Sequence, residues 1–464
     1  MFVGRENEIQ FLENCLKSNK FEMIPIYGRR RVGKTRLIEE FIRDKKFIFY
    51  TAEQRSESSN LKGLSEAVYS GLFRQIGSVS YPSFDAVFDA IAQYAEQSEE
   101  NIIFVIDEYP YLAQTSAGIA SILQRAIDRK FLTIPNLMLI LTGSQTSFME
   151  RQVLGYQSPL YGRRTGQIKL KSLTFSEARH FLPNTPINDF LTLYGITGGI
   201  PLYLSMMSDD LSLADNIKQK VLAQNTFLYE EPRNLLLQEL RNPNRYNDIL
   251  TAIARGVNKF NEISDKTEIE SGNLTKYLAT LIELDLIQKQ TPIPKKSKQK
   301  GIYTITDGLF NFWYRYVPAY QSFILSGKLE QIWPRIELDL VQFTSFTFEE
   351  YCRHWLHLNS KMLLSEVGSW WGNNPLITDA SASAVEIDIV ALGIEKDELA
   401  LGECKWRNEL TGLSVGEKLL ERASFFPHKK IDLYIFSKAD FTEDLKEFAI
   451  DHGIRLLKFE DIAV

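Results

Sequence analysis

Three cysteines in 464 residues, Cys15, Cys352 and Cys404, are too few and too scattered for a disulfide framework or a four-ligand zinc site. No apolar run approaches the length that spans a bilayer. The opening MFVGRENEIQ carries charges where a secretory leader needs an apolar stretch, so a soluble, cytoplasmic chain without membrane contact is expected. Excess positive charge is also missing: 53 Lys and Arg against 59 Asp and Glu give a formal net charge of −6. Any surface for nucleic acid must therefore be local. What is present, 44% hydrophobic and 24% charged residues, suits ordinary globular domains, and the length calls for several.

The strongest local pattern is FEMIPIYGRRRVGKTRLIEEFI, an apolar strand followed by Gly28 to Thr35 in GxxxxGK[ST] order. An amphipathic helix with Leu37, Ile38, Phe41 and Ile42 on one side comes next. Glycines let backbone N–H groups close on phosphate oxygens, and the helix start adds a positive dipole end. Gly28, Arg31, Val32, Gly33, Lys34, Thr35 and Arg36 are therefore expected around a nucleotide, with Lys34 reaching the outer phosphates and the Thr35 hydroxyl serving Mg²⁺. A second strand, NIIFVIDEY, ends in Asp107 and Glu108, the order in which one carboxylate holds Mg²⁺ and the next polarises the attacking water. A third, NLMLILTGSQTS, brings Thr142, Ser144 and Gln145 to a strand end, and Ser144 is the expected contact to the γ-phosphate. Further on, SPLYGRRTGQIKL offers Arg163 and Arg164 as cations for the transferred phosphoryl group; a solvated surface pair is the alternative. Intervening helical segments, among them 84–97 and 118–129, predict a mainly parallel sheet with the nucleotide at its carboxyl edge.

FVGRENEIQFL, GRRRVGKT, DEYPYL and the later TGGIPLYL together resemble the STAND-class ATPases, an AAA+-like group of archaea and bacteria. The resemblance implies adenine contacts from Phe2, Val3 and Arg5. It also implies a helical lid whose Gly199 and Pro201 stand beside the nucleotide, with ATP and Mg²⁺ as cofactors and a homo-oligomer in some nucleotide state. Pro201 equally satisfies the first turn of any helix.

Residues 246–305 read as three short helices and a hairpin and resemble a winged helix. Its third helix exposes Ser271, Asn273, Thr275 and Lys276, and its wing carries Lys295, Lys296, Lys298 and Lys300. Between 241 and 320, twelve Lys and Arg face eight Asp and Glu, a surplus compatible with DNA or with a spacer or dimer contact. The aromatic run DGLFNFWYRYV fits core packing better than base stacking.

From about 345 the pattern turns mixed α/β, with Asp388 in one strand and Glu403 and Lys405 in the next, joined by the polar turn GIEKDE. A hairpin brings the three together, and two carboxylates with a lysine suit hard cations and phosphodiester hydrolysis. EVGSWWG, EIDIVAL and GECKW resemble the PD-(D/E)XK nuclease superfamily, in the form fused behind STAND ATPase and winged-helix modules. The resemblance implies Asp388 and Glu403 as ligands to Mg²⁺ or Mn²⁺, Lys405 as catalytic cation, and Glu349 or Glu350 as the acid of the preceding helix. The residue before Asp388 is Ile387 instead of proline. Charge argues the other way, since 341–464 hold 21 acidic and 13 basic residues, and a catalytically silent docking module is the alternative.

The expected architecture is a multidomain α/β chain: a P-loop NTPase core at 1–175, a helical lid at 176–240, a winged helix-turn-helix at 241–318, a linker at 319–344 and a restriction-endonuclease-like domain at 345–464. The expected function is Mg-dependent ATP hydrolysis coupled to nucleic-acid processing, the alternative being an ATP-driven oligomerisation switch or a DNA-binding regulator.

Overall fold

Alternation within three apolar strands sets the first layer of structure. In the computed structural model β1 (Glu22–Tyr27), β3 (Ile102–Asp107) and β4 (Leu137–Gly143) are buried along their whole length. Their side chains divide by parity. Met23, Phe104 and Leu139 enter one core, while Ile24, Val105 and Ile140 enter the other, as a sheet covered on both faces requires. The structure describes residues 2–73, 79–240, 242–294, 301–375 and 384–463, which fall into two compact units.

The first unit comprises residues 1–173 and 200–202. After α1 (Glu6–Leu16) and β1 come α2 (Lys34–Ile42), β2 (Lys46–Thr51), α3 (Glu57–Phe73), α4 (Phe84–Glu96), β3, α5 (Tyr109–Thr115), α6 (Ile119–Arg129), β4 and the short β5 (Ile168–Lys169). The strands run parallel in the order β2-β3-β4-β1-β5. The chain thus leaves β1 for the edge and works back, so the carboxyl ends of β1, β4 and β3 lie side by side. On one face α2 buries Leu37, Ile38, Phe41 and Ile42; on the other, α3, α4 and α6 bury Leu64, Val68, Phe88, Ile91 and Leu123.

The second unit comprises 174–199 and 203–464. Residues 176–240 are largely helical, Ile187–Thr197 and Phe227–Glu239 being the longest pieces. Helices Asn244–Ala254, Phe260–Thr267 and Ser271–Glu283 follow, then the antiparallel pair β6 (Ile287–Gln290) and β7 (Ile302–Ile305). The four wing lysines named above lie outside the described residues. Phe310, Phe312, Tyr314 and Tyr316 are buried in helix Gly308–Leu325, and Trp313 donates its indole N–H to the Tyr229 carbonyl at 2.7 Å, so the aromatic run is core.

Residues 319–325 and 329–344 are helical where a linker was expected. They belong to Gly308–Leu325 and to the 31-residue helix Leu329–Asn359, which continues through position 345. Pro318 and Pro334, which argue for a break, both lie inside these helices. A five-stranded sheet closes the chain: β8 (Leu364–Asn373), β9 (Ala384–Gly393), β10 (Glu398–Lys405), β11 (Lys430–Ser437) and β12 (Ile454–Lys458), in spatial order β12-β11-β10-β9-β8. Pairs β8–β9 and β9–β10 are antiparallel, and β10–β11 and β11–β12 are parallel. Among the described residues no helix is long and apolar enough to cross a membrane.

Candidate functional site

At the carboxyl end of β1 the backbone turns through Gly28 at φ 151° and Gly33 at φ 95°. A Cβ on Gly28 would stand 2.2 Å from the Leu170 carbonyl oxygen, so only glycine passes there. Gly33 caps α2, no side chain caps it, and the first turn holds no acid, so its leading N–H groups face an anion position without a competitor from the protein. Lys34 is buried, and its Nζ donates to the carbonyl oxygens of Gly28 and Arg29, both at 2.9 Å. Burial lowers its pKa to about 8, against the pull of Glu108 and Asp107.

The β3 carboxylates close the site. Thr35 Oγ1 lies 3.4 Å from Asp107 Oδ2, and the Thr142 hydroxyl, from the neighbouring end of β4, donates to Asp107 Oδ1. Burial pushes the Asp107 carboxyl above its usual range despite both hydroxyls. Glu108 sits at φ 53°, ψ 44°, a left-handed conformation that costs a non-glycine residue about 1 kcal/mol. It is held there by its own N–H on Thr142 Oγ1 (3.1 Å) and by Ser144, whose N–H and hydroxyl reach Glu108 Oε2 at 3.1 and 2.8 Å. Ser144, expected on the γ-phosphate, thus positions Glu108.

Arg5, also left-handed, is buried and donates to the carbonyls of Lys171 (2.5 Å) and Val32 (3.4 Å), bracing the loop. Phe2 packs against the core that α2 covers, Val3 is half-buried, Val32 is buried and Arg31 is left-handed at φ 69°. Arg36 turns outward to Glu39 at 3.1 Å. Pro201 lies close to Gly33, its Cγ 4.0 Å from where a Cβ there would stand, while Gly199, at φ 67°, belongs to the second unit. Arg163 and Arg164 bond outside the loop. Arg163 grips Asp128, at the end of α6, with two 2.7 Å bonds, and Arg164 pairs with Gln167. Thr165 N donates to Met23 O at the start of β1, about 16 Å of strand away from Gly28. Chain direction and the Asp128 contact thus put Arg163 toward the opposite end of the sheet, while Arg164 comes close enough to act on the Tyr27 hydroxyl.

The loop, the lysine and the hydroxyl–carboxylate pair suit a magnesium-bound polyphosphate: N–H donors and an ammonium for oxygen anions, Thr35 and Asp107 as hard oxygen ligands.

In the second unit β9 and β10 form the expected hairpin, and Asp388 Oδ2 accepts the Cys404 N–H at 2.8 Å. Lys405 Nζ lies 2.9 Å from Glu403 Oε2 and 3.5 Å from Asp388 Oδ2. Burial works to lower the Lys405 pKa, but Glu403 and Asp388 carry it above its usual value. The other Glu403 oxygen, Oε1, accepts from Arg422 of helix Leu413–Ala423. From the long helix Glu349 is the acid that faces this group; burial and the charge of Asp388 raise its pKa to about 8. Glu350 is exposed. Arg353 bridges to Glu349 at 3.6 Å and donates to the Asp388 carbonyl at 2.8 Å. Glu386 completes the set; burial and Asp388 raise its pKa. Among the described residues no group of three or more His, Cys, Asp or Glu is arranged to hold a metal ion. The donors have the right chemistry, yet both Glu403 oxygens are taken by cations, so the set as folded does not fit the expected divalent ion at Asp388 and Glu403.

The sequence reading missed Arg422 and Arg353. Arg422 had a signal: Val415, Leu419 and Arg422 share one helix face, an arginine on an apolar stripe. Arg353 stands one turn from Glu349, a weaker signal.

Residues 2–207 match the family model of an ATPase domain predominantly from Archaea, and 313–418 match one of archaeal and bacterial proteins of unknown function. An uncharacterized protein of Methanocaldococcus jannaschii, MJECL04, is 33% identical over 414 residues, 88% of each chain. The chain belongs to the same family as that protein. Its N-terminal region is a P-loop ATPase domain. A second protein of that organism, the uncharacterized ATP-binding protein MJ0423, is 54% identical over 46 residues, 10% of this chain and 78% of its own. The Walker-type ATPase PABY2304 of Pyrococcus abyssi shares the fold, with a TM-score of 0.53 and 22% identity over 68% of this chain and 96% of its own.

Proposed function

We propose that this family member hydrolyses Mg·ATP at the loop between β1 and α2 and uses the cycle to control nucleic-acid processing by its C-terminal domain. The observation that carries the first half is the meeting of three strand ends: Lys34 on loop carbonyls, Thr35 beside Asp107, and Glu108 fixed by Ser144. The loop N–H groups and Lys34 bind the phosphate oxygens, Lys34 exchanging carbonyl partners for anionic ones. Thr35 and Asp107 hold Mg²⁺, which when bound neutralises charge between the phosphates. Glu108 orients the attacking water and accepts its proton, its carboxylate kept in place by two bonds from Ser144. Half-buried Pro201 stands beside Gly33 on one flank of the loop. Lys34→Ala abolishing ATP turnover while the chain still melts cooperatively is the expected result; full turnover in that variant would refute this half.

Support for the second half is the convergence of Asp388, Glu403, Lys405 and Glu349, the constellation that resembles a PD-(D/E)XK nuclease, downstream of three helices and a hairpin that read as a winged helix able to meet duplex DNA. Its test is cleavage of labelled DNA and RNA with and without ATP, lost in Asp388→Ala. A second reading, a silent C-terminal module on an ATP-driven oligomerisation switch, is favoured by the Arg422 contact to Glu403. It predicts no cleavage and a mass distribution that changes with nucleotide.

A further inference from the structure

The C-terminal cluster is notable for how fully its charge is balanced. Glu349, Glu386, Asp388 and Glu403 face one another together with Arg353, Lys405 and Arg422, and each of the two Glu403 carboxylate oxygens accepts from a cation. Glu403 is buried, while Arg422 and Lys405 keep only 21% and 26% of their side chains exposed, so water screens these contacts weakly. Charge-assisted bonds to both oxygens of one buried carboxylate leave no lone-pair position facing an incoming ion without a cation beside it.

From this arrangement we infer that Arg422 takes the place of a divalent cation in the C-terminal domain: its guanidinium supplies the charge that Glu403 requires, and the acid cluster is complete without metal. The inference rests on the nuclease-like reading only for the identity of the acids. Arg422 and Lys405 already stand where a hard cation would approach Glu403, so a divalent ion at those oxygens would meet two positive charges where water screens weakly. Arg422 is then a positioning residue as well as a competitor. It fixes Glu403 toward helix Leu413–Ala423 and excludes hard cations until that contact opens.

The test uses the full chain without nucleotide, in an Asp107→Asn background that removes the carboxylate expected to hold metal at the nucleotide site, with Mn²⁺ as the probe. Bound Mn²⁺ is read from loss of the free-ion EPR signal, and thermal unfolding is followed in parallel. The background chain is expected to take up no Mn²⁺ and to melt at the same temperature with or without it. Adding Arg422→Gln should create uptake about tenfold tighter or more, with a melting temperature that now rises with Mn²⁺, and both effects should vanish on adding Glu403→Gln. Should Arg422→Gln not fold, the measurement on the background chain and on Arg422→Lys, which keeps the charge and should take up no ion, still decides. Mn²⁺ uptake by the background chain that depends on Asp388 and Glu403, or no uptake after Arg422→Gln in a folded chain, overturns the inference. Cleavage assays on the same proteins separate it from the nuclease reading. Mn²⁺ uptake without cleavage in Arg422→Gln supports Arg422's role and removes the nuclease; Mn²⁺-dependent cleavage by a chain retaining Arg422 does the reverse.

Discussion

Two lysines, the buried Lys34 at the start of α2 and the half-buried Lys405 at the end of β10, differ in what they touch. Lys34 rests on two carbonyl oxygens, and burial drags its pKa down to about 8. Lys405 rests on Glu403 beside Asp388, and its pKa moves up. Carbonyl dipoles hold an ammonium without neutralising it, so Lys34 keeps an undischarged attraction for anions. Lys405 already has its anions. The comparison teaches that a cation near a strand end marks an anion-binding site only when the protein has withheld the counter-charge.

The largest expected effect breaks this contrast from both sides. Lys34→Met should cut ATP turnover by about 10³-fold or more while raising the melting temperature, because a buried charge that Glu108 and Asp107 only partly offset is removed at a gain of about 1–3 kcal/mol. Removing the counter-charge in the other region should do the opposite: Glu403→Gln strands Lys405 and Arg422 and should cost about 3 kcal/mol, seen in denaturant unfolding of the C-terminal domain.

A pH series sharpens the same point. In the free protein Lys34 has a lowered pKa of about 8, and bound phosphates raise it. Binding energy from the charged amine is therefore full below pH 8 and lost as pH rises through the free value toward the bound one. Nucleotide affinity by equilibrium fluorescence should fall above about pH 8, and in Lys34→Met that fall should disappear. The smallest effect belongs to the exposed edge. Arg163→Ala removes a surface ion pair with Asp128 and should change stability by less than about 1 kcal/mol and leave turnover within about twofold of the parent. A large loss of turnover would return Arg163 to the catalytic apparatus.

How far the sequence discloses all this depends on what kind of interaction fixes each residue. Gly28, Gly33 and Lys34 are legible because backbone geometry dictates them: only glycine turns beside Leu170, and the lysine follows at fixed spacing. Asp107 and Glu108 are legible because a strand of known length delivers them to an edge. Arg5 and Ser144, expected at the nucleotide, bond the loop and Glu108 within the chain, since a short pattern shows that a residue is near a site without showing which neighbour it bonds. Arg163 and Arg164 read as candidate phosphate partners, and only the direction of the returning chain and the Asp128 contact reveal that Arg163 sits toward the far end of β1. Pro334 lies inside the helix through 329–359 because the packing of that helix outweighs the bond it loses, and Arg422 reaches Glu403 across a fold that sequence spacing does not show.

In the proposed function Glu108 activates water once Lys34 has placed the phosphates. The most direct test is Glu108→Gln, measuring ATP affinity and turnover on the same preparation. Unchanged affinity with turnover reduced by about 10²-fold or more is the predicted result. Turnover close to that of the parent chain would contradict it.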